Sequence, residues 1–171
     1  LRTEIHPACV RIWGAGRDIR IANCRFEHVY FPLRIRSLKP GQRVDGVVIE
    51  DNDFRYTDAG ILSVADGSGW GYAKLRGRLG AVRILRNHAL ETGRRPPRYG
   101  NGEGMAVGRP RTLEIAGNVI ERSYAQGIDV HGGKVSGSWG DVPFTRILIH
   151  HNKVRESMLN CNDFGGIEAW Q

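Results

Sequence analysis

The chain has 171 residues, enough for one domain with a hydrophobic core, and 40% of them are hydrophobic. Its 23 glycines and 7 prolines, against only 2 methionines, favour strands and turns over helices. No apolar run approaches the length of a membrane-spanning helix. The net charge of +7 comes from singly scattered arginines and not from a basic block with interleaved aromatic residues. We therefore expect neither a membrane nor a nucleic acid as a partner.

The ends of the chain and its three cysteines are also informative. The chain begins at Leu1 and stops at residues 168–171 inside a repeat, so we expect it to be a piece of a longer polypeptide. Cys9, Cys24 and Cys161 are odd in number and lack metal-ligand spacing. They are predicted to be small buried residues and not a disulfide framework, so they do not indicate a cellular compartment.

A motif of the form I-x-x-N-x-apolar recurs along the chain. Its fourth position is occupied in turn by Cys24, Asn52, Asn87, Asn118 and Asn152. Successive copies lie 28 to 35 residues apart. Each copy is followed by a second landmark, at Pro32-Leu33, Gly60-Ile61, Gly104-Met105, Gly127-Ile128 and Gly166-Ile167. The glycine is predicted to make the corner of the coil, and the apolar residue after it, such as Ile61, to fill the core. Repeats of this length indicate a solenoid, a propeller or an array of stacked units.

The strand candidates are short and alternate between apolar and polar residues, at 19–21, 82–84, 113–115 and 147–149. This alternation predicts one buried and one outward face. The absence of any helical pattern between them argues against a βαβ fold, and a β-sandwich would not repeat one motif so regularly. The sequence therefore predicts an all-β solenoid of parallel strands with about five coils, forming a single domain over 1–171. Asparagines stacked at one corner would satisfy each other and the turn backbone, and asparagine also tolerates the left-handed backbone angles expected there.

Three glycine-rich insertions interrupt the repeat, at 65–80, 91–102 and 132–143. Long loops on a compact scaffold are usually functional or mobile. Each insertion carries an aromatic residue, namely Trp70, Tyr99 or Trp139. Such rings either offer a flat apolar face to a sugar or hold the loop in place, and the sequence leaves both interpretations open.

This pattern resembles the right-handed parallel β-helix proteins of the pectate-lyase-like superfamily, from about Val10 to Trp170. The resemblance implies a right-handed single-stranded parallel β-helix. It implies less about function, because lyases, glycosidases, epimerases and non-catalytic adhesins share the fold.

Alternation after the second landmark predicts two outward columns of side chains. The first column is predicted to be Arg11, Arg34, Leu62, Ala106, Asp129 and Glu168, and the second Trp13, Arg36, Val64, Gly108, His131 and Trp170. Neighbouring strands lie about 4.8 Å apart, so the carboxyls of Asp129 and Glu168 are expected on the order of 5 Å apart. Two carboxylates this close do not both ionise freely, so one can stay a nucleophile while the other donates a proton. Retaining glycosidases use about this separation.

The terminal segment at 162–170, Asn-Asp-Phe-Gly-Gly-Ile-Glu-Ala-Trp, resembles segments of β-helix glycosidases of the β-xylosidase and α-fucosidase type. That resemblance implies that Asp129 and Glu168 are the catalytic pair. The predicted substrate-binding residues are His131, Trp170, Asp163, Asn160, Glu103 and Trp139. The prediction is a retaining glycoside hydrolase without a cofactor, acting on a plant, algal or microbial polysaccharide or oligosaccharide. Such a protein would be secreted or periplasmic.

Two alternatives remain at this point. A polysaccharide lyase of the same fold would use an arginine or lysine base, often with calcium held by clustered acids. Outward arginines and several acids are present, but the acids (Asp51, Asp53, Asp58 and Asp66) fall on different corners. The other alternative is a non-catalytic binding or surface module. No metal site is predicted, because the adjacent His150 and His151 point to opposite faces of a strand.

Overall fold

The structure is a computed structural model that describes residues 7–66, 77–95, 103–124, 126–131, 146–159 and 165–170. All the regular secondary structure in these ranges is β-strand. Within them, no helix is long and apolar enough to span a membrane.

Three parallel sheets make up the described structure, with strands numbered in chain order. Sheet A consists of β1 (Val10–Trp13), β5 (Leu33–Arg36), β9 (Gly60–Ala65), β12 (Glu103–Gly108), β15 (Ile128–His131) and β18 (Ile167–Trp170). Sheet B consists of β2 (Gly16–Arg17), β3 (Arg20–Ala22), β6 (Arg43–Asp45), β7 (Val47–Glu50), β10 (Arg78–Leu85), β13 (Pro110–Ala116) and β16 (Arg146–His150). Sheet C consists of β4 (Arg25–Glu27), β8 (Asp53–Arg55), β11 (His88–Thr92), β14 (Val119–Ser123) and β17 (Lys153–Ser157).

The chain visits the three sheets in rotation, and every strand pairs in parallel with its equivalent in the next coil. This topology is a single-stranded parallel β-helix of about four turns. The predicted fold is therefore confirmed, although about five coils were expected from the five copies of the motif. Two insertion boundaries were wrong, because β10 already begins at Arg78 and β11 continues to Thr92.

The core is a stack of aliphatic side chains from the inward positions of all three sheets. In sheet A the fully buried members include Leu33, Leu62, Met105 and Ile128, which succeed one another along the axis. Burying such a side chain stabilises the fold by about 1.5–3 kcal/mol. Because each inward residue packs on its equivalent in the next coil, the core is continuous across the repeats.

The asparagine ladder lies at the corner between sheets B and C. Asn87 is 1% exposed, and its Nδ2 donates to Asn118 Oδ1 and to Ile49 O, both at 2.9 Å. The backbone N–H of Asn87 also donates to Asn118 Oδ1, at 2.9 Å. Asn52 repeats the same pattern toward Asn87, and Asn118 repeats it toward Asn152. Buried amides are thus satisfied from coil to coil, as predicted.

The left-handed backbone at this corner lies one residue earlier than predicted. The residue that precedes each ladder position has a positive φ, between 52° and 67°, at Asn23, Asp51, Arg86, Gly117 and His151. We had assigned the tolerance of left-handed angles to the ladder asparagines themselves. Their side chains instead bridge the coils, while the preceding residue makes the corner.

Gly104 and Gly127 mark the entrance to sheet A for a different reason from the predicted one. A Cβ at Gly104 would collide with the backbone oxygens of Gln126 and Gly127 in the next coil. At Gly127 it would meet Gly166 O and the Val154 side chain. These glycines allow close approach between coils, and neither has a positive φ.

The prediction that the cysteines are buried was wrong for the two that the structure describes. Cys9 and Cys24 are both exposed free thiols. Cys24 occupies the first ladder position, on the outermost described coil at this corner, and is therefore open to solvent. Cys161 lies outside the described residues.

Candidate functional site

The predicted acidic pair lies on the last two strands of sheet A. The register of β15 and β18 aligns Asp129 with Glu168 and His131 with Trp170. Alternation turns Asp129 and His131 away from the core, because Ile128 and Val130 between them are fully buried in it. The two acids thus occupy neighbouring positions in one outward column, about 4.8 Å apart at the backbone.

Asp129 is the best-defined acid of the pair. Only 6% of the residue is exposed, and its Oδ2 lies 2.9 Å from His131 Nε2. The other oxygen, Oδ1, is buried and has no hydrogen-bond partner among the described residues. Buried carboxylate oxygens are normally hydrogen-bonded, so an unpartnered one calls for an explanation. Asp129 therefore has one oxygen held by His131 and one that is enclosed without a hydrogen-bond partner among the described residues.

Glu168 is less enclosed than Asp129. Its side chain is partly buried, and its Oε2 accepts a hydrogen bond of 3.2 Å from the backbone N–H of Gly165. This bond orients the carboxyl against the turn that enters β18.

Of the other predicted site residues, only Trp170 and Glu103 have a described position in a strand. Trp170 is opposite His131, and Glu103 is opposite Gly60 at the start of β12, three positions before the row of Asp129. The side chains of Trp170 and Glu103 are outside the described structure. Asn160, Asp163 and Trp139 lie wholly outside the described residues. Their predicted roles stay predictions.

No protein-family model, no curated protein and no solved structure matches this chain.

The predicted outward columns were wrong at one strand. In β9 the outward residues are Ser63 and Ala65, which align with Arg34 and Arg36, and not Leu62 and Val64. The cause is one extra residue at the corner, which aligns Gly60 with Glu103 instead of with Gly104. A slip of one residue exchanges the two faces of a strand. Leu62 consequently fills the core, where Ile61 had been expected.

The middle of this outward face is covered. Ser63, Ala65 and Ala106 are only 3%, 7% and 8% exposed, although outward positions of a solenoid normally contact solvent. Gly108, in the second column, is also buried. The accessible parts of the face are therefore its two ends, with Arg11 and Trp13 at one and His131 and Glu168 at the other.

A buried ion pair next to the site was not predicted from the sequence. Arg109 donates from Nε and Nη2 to the Asp66 carboxylate at 2.9–3.0 Å, and the side chains are 5% and 0% exposed. The backbone N–H of Arg109 also donates to His131 O, at 2.7 Å. This contact attaches the end of β15 to the ion-paired corner. The pair is 43 residues apart across two insertions, so no local pattern could reveal it.

The acids considered for a calcium-dependent lyase are mostly engaged by arginines. Asp51 is bound by Arg86 at 2.8 Å and Asp53 by Arg55 at 2.7 Å, while Asp66 pairs with Arg109. In the described ranges, no group of three or more histidine, cysteine or acidic side chains is placed to hold a metal ion.

Proposed function

We propose that this β-helix is part of a glycoside hydrolase that acts by a two-carboxylate retaining mechanism, with Asp129 as nucleophile and Glu168 as acid and base. The observation that carries the proposal is the buried Oδ1 of Asp129, unpartnered among the described residues, beside Glu168 in one outward column. Backbone spacing in a parallel sheet is compatible with the 5–5.5 Å between carboxyls that retaining enzymes use.

The two acids differ in the ways that their roles require. The nucleophile must be held in one orientation, and the His131 imidazole, whose Nε2 lies 2.9 Å from Oδ2, can donate a hydrogen bond to that oxygen. One carboxylate oxygen of Asp129 would attack the anomeric carbon, which requires this enclosed residue, 6% exposed, to become accessible to the sugar. Glu168 would protonate the departing glycosidic oxygen in this first step. It would then remove a proton from the water that hydrolyses the glycosyl-enzyme bond.

His131 acts in this scheme as a positioning residue and not as a direct ligand of the sugar. It shares a face with Asp129 two residues away on β15, and Arg109 holds its carbonyl oxygen. A carboxylate oriented in this way has less freedom to lose when the substrate binds.

The class of substrate follows from the resemblance to β-helix glycosidases of the pectate-lyase-like superfamily. The segment at 162–170 contains Glu168 and resembles theirs, so a polysaccharide or oligosaccharide is the proposed substrate. The residue opposite His131 on β18 is Trp170, and an aromatic residue is of the type that stacks on the apolar face of a pyranose.

The test is conservative substitution of each acid in the full chain. Asp129→Asn and Glu168→Gln should each lower glycoside cleavage by about 10²–10⁴-fold, a typical contribution of a positioned acid or base. Azide should rescue Glu168→Gln, because a small anion replaces the activated water in the second step. The anomer first released by the wild-type protein, followed by NMR, should match that of the substrate.

The matched control is Asp58→Asn, which alters an exposed acid elsewhere on the chain. It should leave cleavage unchanged, and circular dichroism should show that all three variants are folded. Wild-type activity in both site variants would refute the assignment. An initial product of inverted configuration would refute the retaining mechanism.

A further inference from the structure

Sheet B has a concavity on its outward face, where β2 and β6 lie side by side. It is lined by two arginines, two aspartates and a glycine, namely Arg17, Asp18, Arg43, Asp45 and Gly46. The space inside it is about 520 Å³, which is within the range of about 300–1,000 Å³ that is usual for small-molecule sites. The concavity is separate from the candidate acidic pair, because Asp129 and Glu168 belong to sheet A.

The concavity exists because the backbone of sheet B bends in these coils. β2 and β3 are separated at Asp18, and β6 and β7 at Gly46, whereas β10 is one continuous strand. Asp18 and Gly46 both have left-handed backbones, with φ of 53° and 65°. The backbone N–H of Asp18 donates to Asp45 O at 3.1 Å, so the two bends lie at the same level. A Cβ at Gly46 would come within 2.9 Å of Asp18 Oδ1, so the glycine leaves room for this carboxylate.

Asp45 and Arg43 form a fixed wall of the concavity. Asp45 Oδ1 accepts hydrogen bonds from the backbone N–H groups of Gly46 and Ala81, at 3.1 and 2.8 Å. Its Oδ2 lies 2.6 Å from Arg43 Nη2. A Cβ at Gly80 would collide with this carboxylate, so the bare glycine admits it. Asp45 therefore has both oxygens engaged, while Arg43 is anchored by one of the five N–H donors of its guanidinium and can offer others to a ligand.

Arg17 and Asp18 supply the two charges that a ligand can use. Both are exposed, and neither side chain forms an ion pair or a hydrogen bond with any residue that the structure describes. A plain anion bound to Arg17 would face the like charge of Asp18, and a plain cation bound to Asp18 would face Arg17. A ligand with one charge of each sign is complementary to both groups.

We propose that this concavity binds the zwitterionic head of a free α-amino acid. The carboxylate of the ligand would accept hydrogen bonds from Arg17 and Arg43, because guanidinium groups bind carboxylates through paired N–H donors. The ammonium of the ligand would donate to Asp18, since the oxygens of Asp45 are already engaged. The inference goes beyond the proposed hydrolase function and does not depend on it.

The experiment follows the backbone amide signals of the full chain by NMR during titration with glycine, the smallest α-amino acid. Signals of residues 17–18 and 43–46 should shift and saturate. N-Acetylglycine lacks the ammonium and glycinamide lacks the carboxylate, so each should bind at least tenfold more weakly than glycine. The affinity for glycine should fall as salt increases, because the contacts are between exposed charges.

Two variants assign the two charges of the ligand to the two residues. Asp18→Asn should lower the affinity for glycine at least tenfold and leave that for N-acetylglycine no weaker, because this analogue has no ammonium to lose. Arg17→Gln should likewise lower the affinity for glycine at least tenfold and leave that for glycinamide no weaker. Asparagine tolerates the left-handed backbone of Asp18, so this variant should retain the fold.

The matched controls are Arg111→Gln and Asp58→Asn, which remove the same charges from exposed positions outside the concavity. Both should bind glycine as the wild type does, and circular dichroism should show that all four variants are folded. The proposal would be overturned if glycine caused no shifts at residues 17–18 and 43–46, if the two analogues bound as tightly as glycine, or if the controls lost as much affinity. Sulfate that competes as effectively as glycine would also overturn it, because the concavity would then be a plain anion site. Asp129→Asn should bind glycine normally, so a failure of the hydrolase assignment is distinguishable from a failure here.

Discussion

Cys24 shows how much one side chain contributes to the amide ladder. Its backbone N–H donates to Asn52 Oδ1 at 3.0 Å, as the ladder asparagines do to their successors. Its thiol only reaches Ala22 O, at 3.3 Å, and makes no lateral bond to Asn52. Asn52, by contrast, donates through Nδ2 to both Asn87 Oδ1 and Ile21 O. The ladder therefore loses a side-chain hydrogen bond at its first position.

Restoring asparagine at this position should stabilise the fold. Cys24→Asn places an Nδ2 donor within reach of Asn52 Oδ1 and should raise the free energy of unfolding by about 0.5–1 kcal/mol, the low part of the range because Cys24 is exposed. Urea denaturation measures the change. Cys24→Ser is the control, since it removes the thiol without supplying the amide. An asparagine variant no more stable than the serine variant would contradict the lateral bonding of the ladder.

At the level of the elements, the corner that follows β9 and β12 depends on one buried ion pair. Asp66 and Arg109 end these neighbouring strands and are almost fully enclosed. Charges removed from water are costly unless each has its partner. Because Arg109 also holds the carbonyl oxygen of His131, the corner links the stability of the scaffold to the geometry of the candidate site.

Breaking this pair should be strongly destabilising. Asp66→Asn and Arg109→Met should each lower the free energy of unfolding by about 3–5 kcal/mol, because each removes the opposite charge with which a buried charge is paired. The double variant should lose clearly less free energy of unfolding than the sum of the losses in the two single variants. Urea denaturation of the wild type, both single variants and the double variant measures these losses. The exposed ion pair Arg83–Glu114 serves as the comparison. The same set of variants at this pair should give an interaction energy of only about 0.2–1 kcal/mol. Additive effects at Asp66 and Arg109 would show that the two charges do not depend on each other.

At the scale of the whole molecule, ion pairs on the outer surface join successive coils. Arg86 contacts Asp51 and Glu50, both one coil earlier, at 2.7–2.9 Å. Hydrogen bonds from Arg20 and Arg86 lower the pKa of Glu50, and those from Arg86 lower the pKa of Asp51. The folded state therefore binds protons on these groups less readily than the unfolded state does.

Stability should fall in acid for this reason. The contribution of carboxyls with a lowered pKa is complete above their unfolded-state pKa of about 4 and is lost as pH falls through the lower folded-state values. The urea midpoint should thus decline below about pH 4. Arg86→Gln should be less stable near neutral pH and lose less on acidification, because part of the proton linkage is gone. Arg111→Gln is the control, since Arg111 is exposed and forms no ion pair with any residue that the structure describes. Equal acid sensitivity in the Arg86 variant and the wild type would contradict this account.

The sequence by itself determined the repeat, the ladder positions at Asn52, Asn87, Asn118 and Asn152, and the alignment of Asp129 with Glu168. These follow from local periodicity, because stacking identical coils converts spacing along the chain into neighbours in space. Among the described strands, that rule failed at β9, where a single extra corner residue exchanged Leu62 for Ser63 on the outward face.

Tertiary structure alone decided the features that depend on distant segments. The Asp66–Arg109 pair joins residues that are separated by two insertions, and the covering of Ser63 and Ala106 has no sequence pattern. The contact of His131 with Asp129 was within reach of alternation, since the two share a face, but the unpartnered Oδ1 was not. Burial and hydrogen-bond satisfaction are properties of everything that surrounds an atom, whereas periodicity reports only which face a residue occupies.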